Sequence, residues 1–281
     1  MGDRIERTKS FFAAATLVAA LCAVVANASD TQSNGEAIVE AYLALAVGTE
    51  LPSETSLNDV ITKRPLDDIT IVVPFPLPSS FSYHFFSDVE RVVEEISARS
   101  TGLKIQALRV EEASKFVSAP QVPVRNDAIV VHLGSRDEIR AAVALAAKDD
   151  PHLLEVYSEL VDQAVQYDQD VCLMASRFVE AGVPVVGKAI VWIEDGSRVQ
   201  ECLYEEILQA FGISNDFQYD INSIFSDSIG VMRPSALDWC FWAIHTNAAI
   251  KPGMTREAAK AAALELVPAV CDPKITSLVD W

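Results

Sequence analysis

The sequence predicts an α+β fold in which a twisted mixed sheet packs on one central helix. Five apolar segments of strand length are interleaved with amphipathic helical segments, and the last strand, Val183–Ile193, leads through a short turn into the central helix. No Gly-x-Gly-x-x-Gly motif follows any strand, which argues against a doubly wound nucleotide-binding fold. The 281 residues, half of them hydrophobic, are enough for a globular core in a single domain.

The first half of the chain contains two predicted helices and three predicted strands. Helical spacing of apolar residues predicts a helix over Gly35–Val47 and an amphipathic helix over Phe85–Ser97. Prolines from Pro74 onward are expected to end the first strand. The third strand is almost continuously apolar, which favours a central position in the sheet. In chain order the strands are Leu66–Val73, Leu103–Val110 and Ala128–Leu133.

A pair of helices interrupts the alternation after the third strand. They are predicted over Arg136–Ala147 and His152–Tyr167. A sheet that leans on one helix does not require this pair, so we interpret residues 135–167 or thereabouts as a helical insertion. The strands Val171–Ala175 and Val183–Ile193 then complete the sheet.

The central helix is predicted within Glu201–Asp216, after the turn Glu194-Asp195-Gly196. Gly212 ends it, because glycine readily takes the left-handed conformation of a helix C-terminus. Glu206 falls within the apolar arc, where an unpaired carboxylate is expensive to bury. The apolar face consists of Val199, Leu203, Ile207 and Ala210.

The same helix aligns without a gap with the zinc-metalloprotease pattern His-Glu-x-x-His-x-x-Gly-x-x-His. Glu206 matches the general base and Gly212 the turn glycine, whereas Glu205, Gln209 and Asn215 occupy the three histidine positions. Zinc favours imidazole and thiolate donors, so we expect no bound metal and no other cofactor. The alternative interpretation is a half-buried helix that carries a few surface acids.

The chemistry of the remaining chain is less specific. Ser235 is expected to cap a helix through Ala249, and Thr255 a final helix through about Leu266. The four histidines form no i,i+4 pair, and we interpret His245 as a surface residue near a helix end. Alternatively, five clustered acids bind a hard ion such as calcium through their carboxylate oxygens. These are Glu205, Glu206, Asp216, Asp220 and Asp227.

The order of the predicted elements resembles the upper half of a zincin, in which a twisted mixed sheet leans on the active-site helix. The chain also resembles the domain of unknown function 2927 family, from about Glu36 to Ala262. That family comprises secreted proteins and lipoproteins of proteobacteria, so the resemblance implies a fold and an exported location, but no reaction. It is carried by Cys202, Glu205-Glu206, Gln209, Gly212, Asn215-Asp216, Ser223-Ile224-Phe225 and Pro252-Gly253-Met254.

The first 28 residues have the pattern of a signal peptide. A basic start precedes the apolar run Phe11–Val25, and Ala26-Asn27-Ala28 forms an Ala-x-Ala cleavage site. The bulky Leu21 argues against a lipid anchor on Cys22. We therefore expect a periplasmic or secreted chain from Ser29 onward, forming one domain, residues 29–281, without a transmembrane anchor.

The formal net charge of −18 argues against nucleic acid and anionic membranes as partners, because both require basic patches. Four cysteines follow the signal peptide, and an even number in an oxidising compartment predicts two disulfides with three possible pairings. Each cysteine is alternatively a small buried hydrophobic residue. We expect Cys172 to pair with Cys202, and Cys240 with Cys271.

Two functions from different classes fit these observations. The first is an exported protein with a degenerate metalloprotease-like site, which binds a protein or peptide partner in the cell envelope or supports an envelope structure without catalysis. The second is a hydrolase in which Glu206 is the general base and Gln209 and Asn215 position a hard metal or a water molecule.

Overall fold

The structure, a computed structural model, describes residues 34–48, 59–65, 69–75, 84–100, 103–111, 128–148, 151–166, 169–179, 183–217, 222–226, 231–272 and 274–275. The predicted signal peptide and its cleavage site lie outside these residues, as do Asp220 and Asp227 of the acidic cluster.

Five strands form one mixed sheet in the order β2-β1-β3-β5-β4. Neighbouring strands are parallel except β4, which runs antiparallel to β5 at one edge. The apolar third strand is central, as the sequence predicts. The strands are β1 (Ile69–Phe75), β2 (Ile105–Glu111), β3 (Ile129–Gly134), β4 (Cys172–Phe178) and β5 (Val186–Glu194).

Seven helices accompany the sheet in the described part of the chain, which confirms the α+β prediction. Ser135 and Ser235 begin two of them with a capping box, in which the serine and the third helical residue satisfy each other's backbone N–H groups. The helices are α1 (residues 34–46), α2 (Phe85–Ala98), α3 (Arg136–Ala146), α4 (Pro151–Gln166), α5 (Val199–Gln209), α6 (Ala236–Thr246) and α7 (Arg256–Val270).

The sheet separates two hydrophobic clusters, because side chains alternate along a strand. On β5, Val191 and Ile193 face the main core, which also contains α1, α2, α5, α6 and α7. Trp192, between them, faces the smaller cluster formed with α3 and α4. Helices α3 and α4 therefore cover the face of the sheet opposite to α5.

Several boundaries differ from the sequence prediction by a few residues, and two of the differences have a clear physical reason. Pro74 does not end β1, which continues to Phe75. In the paired register β3 meets β1 only at Ile71 and Val72, so Pro74 has a strand on one side alone and its missing N–H is tolerated. Helix α6 ends at Thr246, before the predicted Ala249, because Asn247 is already extended.

Both predicted disulfides are present. Cys172 in β4 is bonded to Cys202 in α5, and Cys240 in α6 to Cys271 at the end of α7. The first bond joins the edge strand of the sheet to the central helix, and the second joins the last two helices. Within the described residues, no helix combines the length and the apolarity that a bilayer crossing requires.

Candidate functional site

Helix α5 is buried from Glu201 to its C-terminal end. Every residue from Glu201 to Gln209 is buried, and the helix packs on β4, β5 and α2. The alternative interpretation of a half-buried helix with surface acids is therefore wrong. The helix lies between the sheet and the C-terminal helices, so even its polar side chains are largely removed from water.

The polar side chains of α5 keep a small residual exposure that the apolar ones lack. Glu201, Glu205, Glu206 and Gln209 are 4–6% exposed, whereas Cys202, Leu203, Tyr204, Ile207 and Leu208 are 0% exposed. At 3.6 residues per turn the four polar residues fall within an arc of about 140°. We call these four residues the polar face.

The beginning of α5 is held by Asp170, which precedes β4. Its carboxylate accepts hydrogen bonds from the backbone N–H of Arg198 at 2.9 Å and from the Ser197 hydroxyl at 3.2 Å. Gly196 lies so close that an added Cβ would come within 2.3 Å of this carboxylate. One turn later, Glu201 forms an ion pair with Arg198 at 2.7 Å.

The C-terminal end of α5 is held by a segment that precedes the sheet. Arg64 is 1% exposed, and its Nε donates to the carbonyl of Ala210 at 2.8 Å. Its backbone N–H donates to the carbonyl of Phe211 at 2.9 Å. A guanidinium at this position also complements the negative end of the helix dipole.

His245 approaches the same helix end from α6 and is 0% exposed. Its Nε2 lies 3.1 Å from the carbonyl of Phe211, which only accepts, so Nε2 carries the proton. Nδ1 then accepts from the hydroxyl of Tyr42 at 3.2 Å. Burial, together with the charge of Lys63, lowers the pKa of His245 to about 3. The interpretation of His245 as a surface residue is therefore wrong.

Lys63 is the second buried cation of this region. Its Nζ donates to the carbonyls of Asn247 at 2.9 Å and Ile250 at 2.8 Å, in the turn after α6. Burial lowers the pKa of the Lys63 ammonium to about 8. Lys63 and Arg64 thus fasten the ends of α6 and α5 to one extended segment.

The structure separates the residues that match the metal-ligand positions. Glu205 and Gln209 lie on the polar face, and the amide of Gln209 donates to Asp216 at 2.7 Å. The Asn215 amide donates instead to the carbonyls of residues 44, 45 and 47, each at 3.1 Å. Asn215 therefore caps the C-terminus of α1.

A family model described as protein of unknown function (DUF2927) matches residues 36–265. The matched region includes the polar face and both segments that hold the ends of α5. The chain belongs to the DUF2927 family. No curated protein and no solved structure matches this DUF2927 protein significantly.

A second buried polar cluster was not anticipated from the sequence of this DUF2927 protein. Asp238 is 0% exposed, accepts from the Ser223 hydroxyl at 2.5 Å, and accepts from the backbone N–H groups of Ile224 and Ser235. Burial raises the pKa of Asp238, and these hydrogen bonds act in the opposite direction. The sequence signals were Ser235 at the start of α6 and the family match at Ser223-Ile224-Phe225, and neither pointed to Asp238. The cluster fixes the 222–226 loop on α6.

The donor set of the DUF2927 site offers little to a metal ion. Among the described residues, no three His, Cys, Asp or Glu side chains come together in an arrangement that would hold one. Glu205 and Glu206 are both on the polar face, whereas two of the five acids of the calcium hypothesis lie outside the described residues.

Proposed function

We propose that this DUF2927 protein is exported and has a degenerate metalloprotease-like site that does not catalyse a reaction. Its role is to bind a protein or peptide partner in the cell envelope, or to support an envelope structure, through the polar face. The observation that carries the proposal is that side chains at the metal-ligand positions serve the fold.

Asn215 gives the clearest case. A ligand or a water-positioning group must direct its polar atoms at the site, but the amide of Asn215 is used by three carbonyls at the end of α1. The amide nitrogen of Gln209 is likewise directed at Asp216. Carboxylate and amide oxygens are in any case weak competitors for zinc beside imidazole or thiolate donors.

The topology supports the zincin-like part of the proposal. A sheet with one antiparallel edge strand leans on α5, and β4 is attached to that helix through Cys202. The helical insertion covers the other face of the sheet. Glu205, Glu206 and Gln209 lie on this helix, which packs on β4, and they occupy the positions at which a metalloprotease-like helix would present its active residues.

Two further features support export. The basic start, apolar run and Ala-x-Ala site form a signal-peptide pattern, and disulfides persist in oxidising compartments outside the cytoplasm.

The test is a comparison of wild type with Glu206→Gln on a fluorogenic peptide library and on casein, with the zinc content of both proteins measured by elemental analysis. We expect no cleavage by either protein and no stoichiometric zinc. A closely matched control is Glu257→Gln, which alters an exposed carboxylate on α7.

A hydrolase with Glu206 as general base is the alternative function. The observation in its favour is that Glu206 is only 4% exposed, because the surroundings of a buried carboxylate determine how readily it takes up a proton. Cleavage by wild type that disappears in Glu206→Gln, while Glu257→Gln retains it and the melting temperature stays unchanged, would establish this alternative.

A further inference from the structure

The two disulfides differ in their access to solvent. Cys172 is half-buried on the edge strand of the sheet, whereas Cys202, Cys240 and Cys271 are 0%, 2% and 9% exposed. Thiol–disulfide exchange requires that an attacking thiolate reach one of the sulfur atoms. Cys172 is therefore the cysteine that an external thiol reaches first.

This accessible bond lies beside the polar face. Cys202 precedes Glu205 and Glu206 by three and four residues, so all three are neighbours within one turn of α5. Its partner Cys172 begins β4, and the two Cα atoms are 5.6 Å apart. The bond thus fastens the free edge of the sheet directly beside the two glutamates.

We propose that the Cys172–Cys202 disulfide is a redox-controlled latch beside the polar face, opened by a dithiol reductant. The proposal rests on the proposed function in taking the polar face as the binding site. One thiolate of the reductant attacks Sγ of Cys172, and Cys202 leaves as a thiolate that takes up a proton. The second thiol of the reductant then displaces Cys172, which leaves two cysteine thiols and an oxidised dithiol.

The fold retains other connections when this bond opens. The ladder between β4 and β5 remains, and Tyr157 in α4 still donates to the backbone carbonyl of Met174 at 3.1 Å. Asp170 continues to hold the start of α5 through Arg198, and Arg64 holds its other end. Reduction therefore loosens the start of β4 beside the polar face without releasing α5.

The test combines stepwise reduction with two chemical labels on the full-length mature protein. Dithiothreitol is titrated, free thiols are alkylated, and carboxylates are coupled to glycine ethyl ester with a carbodiimide before mass spectrometry. We expect alkylation of Cys172 and Cys202 at several-fold lower dithiothreitol than Cys240 and Cys271. Coupling at Glu205 and Glu206 should rise several-fold at that point, while coupling at the exposed Glu257 stays unchanged. The protein should still unfold in one cooperative thermal transition, at a lower temperature because one disulfide is lost.

Two variants separate the latch from a general loosening of the fold. Cys172→Ser with Cys202→Ser should show the high coupling without reductant, whereas Cys240→Ser with Cys271→Ser should show the low coupling of the wild type. Simultaneous reduction of both bonds, or unchanged coupling at Glu205 and Glu206, would overturn the latch. If a double variant does not fold, the titration of the wild type decides alone.

These outcomes differ from those that test the proposed function. Peptide cleavage by the oxidised wild type contradicts the non-catalytic role and leaves the latch untouched. Unchanged coupling after selective reduction contradicts the latch and leaves the non-catalytic role untouched.

Discussion

The interior of this protein contains basic side chains whose hydrogen-bond partners are backbone carbonyls at the ends of helices. Lys63 binds the turn after α6, Arg64 binds the end of α5, and His245 binds the next carbonyl along the chain. Carbonyls at a helix C-terminus have no partner within the helix. These three residues supply partners and thereby join α5, α6 and the 59–65 segment.

His245 should make stability depend on pH. Its pKa is about 3 in the folded protein, whereas an ordinary histidine has a pKa of 6.5, so the unfolded chain binds the extra proton below pH 6.5. The stabilisation is present above pH 6.5 and is lost as the pH falls toward 3. Between pH 7 and pH 5 we expect the free energy of unfolding to fall by about 2 kcal/mol from this residue. Urea denaturation at several pH values measures it.

His245→Gln is the variant for this measurement, because its amide nitrogen can still donate to Phe211 without titrating. In this variant the free energy of unfolding should no longer show the decrease of about 2 kcal/mol between pH 7 and pH 5 that His245 causes. His132 has a pKa lowered to about 4, by burial and the charge of Lys188, and contributes in the same direction. A His132→Gln control should therefore retain the His245 part. An unchanged pH dependence in His245→Gln would contradict the assignment.

Asn215 provides a second prediction at this scale. Asn215→Ala removes three hydrogen bonds to carbonyls at the end of α1, so we expect a loss of about 1–3 kcal/mol in the free energy of unfolding. Gln106→Ala is the matched control, since Gln106 is exposed and its amide reaches only Thr70. Equal stability of the two variants would contradict the capping role.

The sequence predicts that Glu206 is buried, but it does not predict that His245 is. The reason is the separation in sequence between each residue and the residues that bury it. Helical periodicity places Glu206 in the buried arc of its own helix, which is local information. His245 is buried by residues 203 and 34 positions away, Tyr42 and Phe211. No pattern within α6 contains those contacts.

At the scale of elements, α5 was predicted in type and position, but its depth was not. A glutamate-rich helix ordinarily keeps its acids in water. Here the segment 59–65 closes over its C-terminal end, through the Arg64 contacts and a parallel bridge from Lys63 to Val185. That short segment has no strand or helix period of its own, so its part in burying α5 has no signature in the sequence.

Gly212 is the residue at which the 59–65 segment approaches the end of α5 most closely. Its φ is +113°, and an added Cβ would lie 2.3 Å from the carbonyl oxygen of Thr62. Gly212→Ala should therefore both strain the turn and push the 59–65 segment away, with a loss of about 3 kcal/mol or more. Gly35→Ala, in helix α1 with its nearest contact at 3.9 Å, should be neutral or stabilising by up to about 1 kcal/mol. Thermal and urea unfolding compare the two, and equal effects would contradict the close-approach argument.

For the whole molecule, the α+β class and both disulfides were predictable, whereas the order of the strands was not. Periodicity identifies each segment as a strand but does not show which strands are neighbours. The crossovers that place β1 between β2 and β3 depend on which apolar faces meet in three dimensions. Helices α3 and α4 show the same limit. Both were predicted, but their position on the face opposite α5 follows only from β5, whose Trp192 and Val191 point to opposite sides.

The last prediction concerns the chain as it is made by the cell. Cleavage at the Ala-x-Ala site should give a protein whose first residue is Ser29, and intact-mass measurement with N-terminal sequencing checks this. An exported chain should also yield no free thiols when denatured without reductant, since four cysteines are paired in the fold. A chain produced in a reducing cytoplasm without residues 1–28 should yield four and should unfold at lower temperature, because each loop of about thirty residues closed by a disulfide contributes roughly 3–4 kcal/mol. A diacylated Cys22 at the N-terminus would contradict the predicted cleavage and place the protein on a membrane.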